Sequence, residues 1–309
     1  MPVKSRDVGQ YEISSMMDPD SFEDPREFLA VQLSRGSLTL VLGAGVSMGF
    51  GLPGWDALLE SLSTELEVDN PRKLPNEAFA EELWRAANRD DLAFASKIRK
   101  CLYQSYEGSV EELCSSHLLM SIGALARPAK RGSVEHIISF NFDDLLELYL
   151  EYYGIAVQAV SKVPAWGSNV YDVTVLHPHG ILPLSSTRSI TPVVFTTRDY
   201  DRIVGKDADQ WRMLLTMTMR SNTCLFLGLS GADTNLLSIL SDVKPSHVGT
   251  VRGDAYWGVR VSVDPDDPYR GHWQERGVVQ MTIATYKELP ALLSEIARRA
   301  VSATESEEL

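Results

Sequence analysis

The chain is short of cysteine, of long apolar runs and of positive charge, and each shortage removes a class of function. Three cysteines in 309 residues, Cys101, Cys114 and Cys224, are too few and too widely spaced for a zinc tetrad, and are expected to be reduced, buried small hydrophobes. No stretch approaches the roughly 18 consecutive apolar residues of a membrane span. The opening MPVKSRDVGQYEISS lacks the apolar centre of a signal peptide, so a cytoplasmic location and no membrane partner are expected. A formal net charge of -13 opposes sequence-independent binding to nucleic acid, which needs clustered cations to displace counterions. With 44% hydrophobic residues, what is left is a globular chain long enough to bury a sizeable core.

The stretch Leu38 to Leu59, LTLVLGAGVSMGFGLPGWDALL, is the most informative. An apolar strand runs directly into Gly43-Ala44-Gly45, and a helix with Leu58, Leu59, Leu62 and Leu66 on one face begins at Trp55. Glycines let the main chain turn tightly and let a pyrophosphate approach it, while a helix N-terminus offers unpaired N–H groups. The glycines fall at 43, 45 and 49, a G-x-G-x-x-x-G spacing instead of the G-x-G-x-x-G of dinucleotide-binding proteins.

Around this stretch the chain divides into an N-terminal arm and short helix (1–36), a main domain (37–301) and an acidic tail (302–309) expected to be disordered. Within the main domain the pattern between about 70 and 132 is helical throughout, with Phe79, Leu83 and Ala87, then Phe94, Ile98 and Leu102, at four-residue spacing. This reads as a helical insertion, either a cap over a site or a docking surface. Strands are predicted at His136 to Phe140, Val173 to Leu176, Val193 to Thr196, Cys224 to Leu229, Tyr256 to Val263 and Val278 to Ala284. Helices are predicted between several of them: Asp143 to Tyr153, Asp209 to Arg220, Thr234 to Leu240, and finally Leu289 to Val301. The fold class is therefore α/β, a Rossmann-like, doubly wound, mostly parallel sheet with a helical insertion and no zinc module.

In such a sheet a ligand lies beyond the carboxyl ends of the strands. Those ends carry Gly43-Ala44-Gly45-Val46-Ser47, Asn141-Phe142-Asp143-Asp144, His177-Pro178-His179-Gly180 and Gly228-Leu229-Ser230-Gly231-Ala232-Asp233. Each has a purely structural alternative. Asn141 and Asp143, or Ser230 and Asp233, could cap the helices that follow; either histidine could be a satisfied core residue, and Gly228 and Gly231 simple turn residues. Two residues apart on an extended segment, His177 and His179 are expected to point the same way.

As an ordered set, GAGVS with GLPGW, SFNFDD, LHPHG and FLGLSGADTN resembles the sirtuin (silent information regulator) superfamily, and more closely the sirtuin-like NAD hydrolase domains of bacterial antiphage defence systems, from about Ser37 to about Leu240. Deacetylating sirtuins carry a four-cysteine zinc module and an acidic-aromatic-arginine triplet after Gly-Ile-Pro. This chain lacks the module and has Gly54-Trp55-Asp56 after Gly51-Leu52-Pro53, departures that favour the hydrolase branch.

The resemblance implies that NAD is the substrate, cleaved to nicotinamide and ADP-ribose with no metal, and that the chain is a toxic effector triggered by self-assembly or by a regulatory partner such as a ring-forming ATPase or a nucleotide-sensing protein. It assigns Asn141 to the reacting ribose or water, Asp143 to the nicotinamide side or the loop, and His179 to general base, with His177 the competing candidate. Gly43, Ala44, Gly45 and Ser47 would line the phosphates, Gly228 and Ser230 the adenosine half, and Asp233 a ribose. Trp55 would cover the nicotinamide pocket or sit in the core. Protein deacylation and non-catalytic sensing of NAD or ADP-ribose are the alternative functions.

Overall fold

Leu38–Leu42 (β1) is buried at every position, as a strand covered on both faces of a parallel sheet requires. In the computed structural model, described for residues 24–307 apart from 71–72, 107, 164–169, 186, 200–208, 232 and 249–255, six further strands join it. They are His136–Ser139 (β2), Val157–Val160 (β3), Val173–Leu176 (β4), Thr223–Leu227 (β5), Gly258–Ser262 (β6) and Val278–Thr282 (β7). All pairings are parallel, in the order β3-β4-β2-β1-β5-β6-β7. From β1 the chain lays down β2, the edge strand β3 and then β4 between them on one side, and returns to β5 on the other. The order thus reverses between β1 and β5, and ligand crevices of doubly wound sheets open at such a reversal.

Alternation along the strands divides the core in two. Leu40, Leu42, Leu225 and Leu227 face one layer, built from Pro25–Ser34 (α1), Trp55–Leu66 (α2), the insertion, Leu145–Tyr152 (α7) and the last helix, Leu289–Glu307. Val41 and Phe226 face the other, where Leu215, Leu236, Ile239, Leu240 and Trp273 come from Asp209–Ser221 (α8), Thr234–Val248 (α9) and Arg270–Gln274 (α10). The last helix (α11) packs along α1, and Asp24, which caps α1 through Arg26 N (2.9 Å), also binds Arg299 of α11 (2.7 Å). The insertion comprises Asn76–Ala86 (α3), Asp91–Leu102 (α4), Val110–Ser115 (α5) and His117–Ala126 (α6).

Several elements differ from the sequence reading. Residues 193–196 form no strand; both ladder edges of β4 are taken, by β2 and by β3, and Thr196 enters a turn closed by Asp199. The edge strand β3, half-exposed, carried too weak an apolar pattern to be predicted. Helix α7 begins at Leu145, α9 runs on to Val248, and α11 continues to Glu307, because SATESE holds neither Gly nor Pro to stop it. Most of the expected acidic tail is thus helical, while the arm over 1–23 lies outside the described residues.

At the reversal the loops after β1 and β5 meet backbone to backbone. Gly43 N–H donates to Leu227 O (2.9 Å) and Gly45 N–H to Gly228 O (3.1 Å). A Cβ on Gly43 would lie 2.6 Å from Gly228 O, one on Gly45 2.8 Å from Gly228 Cα, and one on Gly228 2.7 Å from Val46 N, at a φ of +69°. Nothing lies within 4 Å of a Cβ on Gly49. The two glycines of the first loop are therefore demanded by the second loop, and the third is not. Chemical denaturation should show Gly228→Ala losing at least about 2 kcal/mol, through clash and left-handed strain, while Gly49→Ala stays within about 0.5 kcal/mol of the parent.

Candidate functional site

The chain leaves β2 at Phe140, whose N–H still reaches Leu42 O (2.9 Å), and then turns inward. Asn141 and Asp143 are buried, and both converge on Ser47 of the glycine loop: the Asn141 carboxamide donates to Ser47 Oγ (3.1 Å), and the Ser47 hydroxyl is also bonded to Asp143. Asp143 in addition accepts Leu145 N–H (3.3 Å) at the start of α7, so it faces the site and braces the helix at once. Burial pushes its carboxyl up to about 6, against the Ser47 hydrogen bond and with help from the nearby Glu147 charge. This acid titrates close to neutrality.

The histidines point apart. The strand has ended, and Gly180 N–H closes a turn on His177 O (3.0 Å) with Gly180 at φ +88°, so the alternation of an extended segment does not apply. His177 is 1% exposed and held at both nitrogens, Nε2 on Glu147 of α7 and Nδ1 3.3 Å from the Asn141 carbonyl. Burial pulls its pKa down, but the charge and hydrogen bond of Glu147 and the Asn141 carbonyl together hold it above the usual histidine value. His179 instead lies against Phe140 and Phe142, with Nε2 3.9 Å from Asp233 Oδ2. Burial holds its imidazole below the usual value, opposed by the Asp233 carboxylate. At neutral pH His179 is therefore unprotonated and able to accept a proton.

The remaining predicted residues ring this centre unequally. Gly45 and Ser47 N–H groups are donated within the protein, to Gly228 O and Ala44 O, while Ala44 is exposed at the loop tip. Gly228 is half-buried against Gly45, and Ser230 is exposed. Asp233 caps α9 through Leu236 N–H (3.0 Å) while its other oxygen faces His179. Trp55, half-buried at the start of α2, packs on Phe195 (4.6 Å between ring centres), and Phe195 in turn contacts Phe142 beside His179. The Phe195–Tyr200 segment thus supplies an aromatic hub. Tyr200 itself lies outside the described residues.

Sequence reasoning missed the residues that hold these groups in place. Helix α4 of the insertion grips the chain just past the histidine turn: Arg99 donates to Pro183 O (2.7 Å) and Leu184 O (2.9 Å), and the Tyr103 hydroxyl to Leu182 O (2.8 Å). Asp144, fully buried, accepts Leu184 N–H (2.8 Å) from the same segment. Glu147 secures His177 from within an apolar helix, and Arg260 reaches from β6 to the carbonyls of Leu229 and Ser230 (both 3.1 Å). The available signals were a lone Glu in LLELYL and a lone Arg in GVRVS. Among the described residues no three His, Cys, Asp or Glu side chains gather as metal ligands, and no helix is long and apolar enough to cross a membrane.

Residues 135–278 match the SIR2-like domain family, a span that holds Asn141, Asp143, both histidines and the β5 loop but not the glycine loop. The chain is 24% identical over 215 residues to the NAD(+) hydrolase ThsA of Enterococcus faecium, covering 69% of this chain and 41% of that protein; it therefore spans less than half of the relative's length. Among solved structures it is similar to a Sir2 homologue in complex with NAD (17% identity, TM-score 0.49, covering 92% of this chain and 96% of that one). It is also similar to a Sir2 homologue variant with ADP-ribose (16% identity, TM-score 0.46, covering 90% and 98%). The resemblance carried by the sequence motifs is thus met by the family match over all of them but the first.

The burial of Asp143 has a measurable consequence. Its carboxyl holds a proton more tightly folded, at about 6, than at the ordinary 3.8, so this group's contribution to stability falls as pH rises between those values. Asp143→Asn should remove that slope: relative to the parent, the variant gains stability from about pH 4 to about pH 6 and holds the gain above, as denaturation midpoints across this range will report. Glu147→Ala should cost about 3–5 kcal/mol by stranding buried His177.

Proposed function

We propose that the chain cleaves the nicotinamide–ribose bond of NAD, with water as acceptor, to give nicotinamide and ADP-ribose. The observation that carries this reading is the meeting of Asn141 and Asp143 on Ser47 at the sheet reversal, with His179 packed on Phe140 and Phe142 of the same strand end and facing Asp233; all of these but Ser47 lie within the region that matches the SIR2-like family. Bond cleavage builds oxocarbenium character on the ribose as nicotinamide leaves. The enzyme must hold the sugar, exclude bulk water and place a single one. The Asn141 carboxamide can donate to one oxygen and accept from another, which suits it to the ribose or the water. His179 accepts the proton lost by the attacking water, relayed through a ribose hydroxyl that is reprotonated in the same step, and Asp233 opposite its Nε2 stabilises the imidazolium that results. Asp143 braces the loop and lies toward the nicotinamide side. Trp55, packed on the fully buried Phe195, covers that side.

The adenosine half lies over the β5 loop, at Gly228 and Ser230, and the phosphates over the tip of the glycine loop at Gly43 and Ala44. With Gly45 and Ser47 N–H groups already donated, Ala44 is the main-chain donor nearest at hand. His177, tied at both nitrogens, holds Asn141 and takes no proton from substrate. The name of the matched relative supports hydrolysis over deacylation.

Ser47, Asn141, Asp143 and His179 are each less than a tenth exposed, so little of their surface is open to a dinucleotide in this arrangement. This burial supports control by a trigger. We place the protein in the cytoplasm as the toxic effector of a bacterial antiphage system that depletes NAD, switched on by self-assembly or by a regulatory protein partner, for which the insertion is the docking face.

Nicotinamide release from NAD, followed with the isolated chain and with its co-expressed native neighbours, tests the reading. His179→Ala and Asn141→Ala should each lower the rate at least about 100-fold while melting within a few degrees of the parent. His177→Gln should retain activity in proportion to folded protein. NAD binding without release under every condition would establish a sensor; release only with an acylated peptide would establish a deacylase.

A further inference from the structure

We propose that Arg260 is a positioning residue for the phosphate-adenosine half of the ligand: from β6 it draws two successive carbonyls of the β5 loop toward itself and so aims the opposite N–H groups into the crevice. The proposal rests on the dinucleotide reading above.

A guanidinium only 3% exposed inside an otherwise apolar strand is costly to desolvate and needs every donor matched. Arg260 is matched on all sides. Nε donates to Leu229 O (3.1 Å), one terminal nitrogen donates to Ser230 O (3.1 Å) and forms an ion pair with the Asp267 carboxylate (2.5 Å), and the other donates to Gln280 Oε1 (3.4 Å). The guanidinium also lies over the Trp273 ring, 5.2 Å from its centre. Asp267 and Gln280 hold the fork; the two loop carbonyls are what the fork acts on.

Peptide planarity supplies the next step. In a trans peptide the C=O and N–H point in opposite directions. The carbonyls of Leu229 and Ser230 belong to the peptides whose N–H groups are those of Ser230 and Gly231. With both carbonyls turned toward the Arg260 guanidinium, both N–H groups turn away from it. Arg260 alternates with Val259 and Val261, which face the α1 layer, so its guanidinium lies on the other side of the sheet over Trp273; the two N–H groups turn away from that side, and β5, next to β1 in the sheet, sets them beside the glycine loop at the reversal. Gly228 (φ +69°) and Gly231 (φ +88°) supply left-handed turns on either side of this pair, and successive N–H groups in such turns form a concavity suited to an anion. Gly231 is further confined because a Cβ there would meet Trp273 Nε1 at 2.3 Å. An arginine is specified because a planar fork can engage two carbonyls, a carboxylate and an amide together, which the single ammonium of lysine cannot.

Arg260→Lys keeps the charge and loses the fork; Arg260→Gln loses both. Asp267→Asn leaves the fork in place without its anchor and serves as the milder variant should the first two not fold. For each, melting temperature, kcat and KM for NAD, and ADP-ribose affinity by calorimetry are measured in the same activating conditions as the parent. Arg260→Lys is expected to raise KM for NAD and the Kd for ADP-ribose together by about tenfold or more, with kcat within about threefold and inhibition by free nicotinamide unchanged; Asp267→Asn gives a smaller shift in the same direction. A fall in kcat with KM and ADP-ribose affinity unchanged would assign Arg260 to scaffold stability alone and overturn the proposal. So would parent-like constants in every variant that folds. A parent that neither binds ADP-ribose nor releases nicotinamide removes the dinucleotide reading itself, a result distinct from a working parent with unaffected variants.

Discussion

Where the sheet reverses its order, Gly45 hands its N–H to the carbonyl of Gly228, and the two loops touch there through main chain. That contact sets the distances at the site. It brings the β1 loop close enough for Ser47 to reach both Asn141 and Asp143 from the β2 end, and it fixes the start of the β5 loop that carries Asp233 back to His179. A methyl group inserted at either glycine would wedge the loops apart at the point from which each of these side chains is measured.

Around that contact the interior is unusually polar for an α/β core. Asn141, Asp143, Asp144, Glu147, His177 and His179 are all buried within one cluster of strand ends. Such groups are tolerable only when partnered, and here the partners come from far apart in sequence: α7 for His177, α4 and the 182–184 segment for Asp144, β6 for the β5 loop. The environment divides the acids and bases by task. Glu147 binds His177 into the scaffold, whereas burial pushes Asp143 and His179 toward their neutral forms, the acid upward to about 6 and the imidazole downward.

Local pattern made much of this legible. Short apolar runs ending in glycine, asparagine, histidine or serine identified the strand ends, and the rule that ligands lie beyond the carboxyl ends of such a sheet put them on one edge. What local pattern could not supply was partnership across the fold. Nothing near His177 in sequence announces Glu147, so the two histidines looked equivalent until the turn at Gly180 separated them. The apolar VVF of 193–195 imitated a strand because Phe195 is needed as an aromatic hub, while the true edge strand β3 is half-exposed and lacks such a run. Gly43 and Gly45 suggested room for a pyrophosphate; the nearer cause is the neighbouring loop.

The grip of α4 on the segment after the histidine turn is made to main-chain carbonyls, with Arg99 and Tyr103 holding the peptides of Leu182, Pro183 and Leu184 and not their side chains. A connection of that kind is indifferent to which residues occupy the gripped positions. Leu182 is fixed by the core it fills, but Pro183 and Leu184 can change while the insertion remains mechanically joined to the segment that follows the histidine turn.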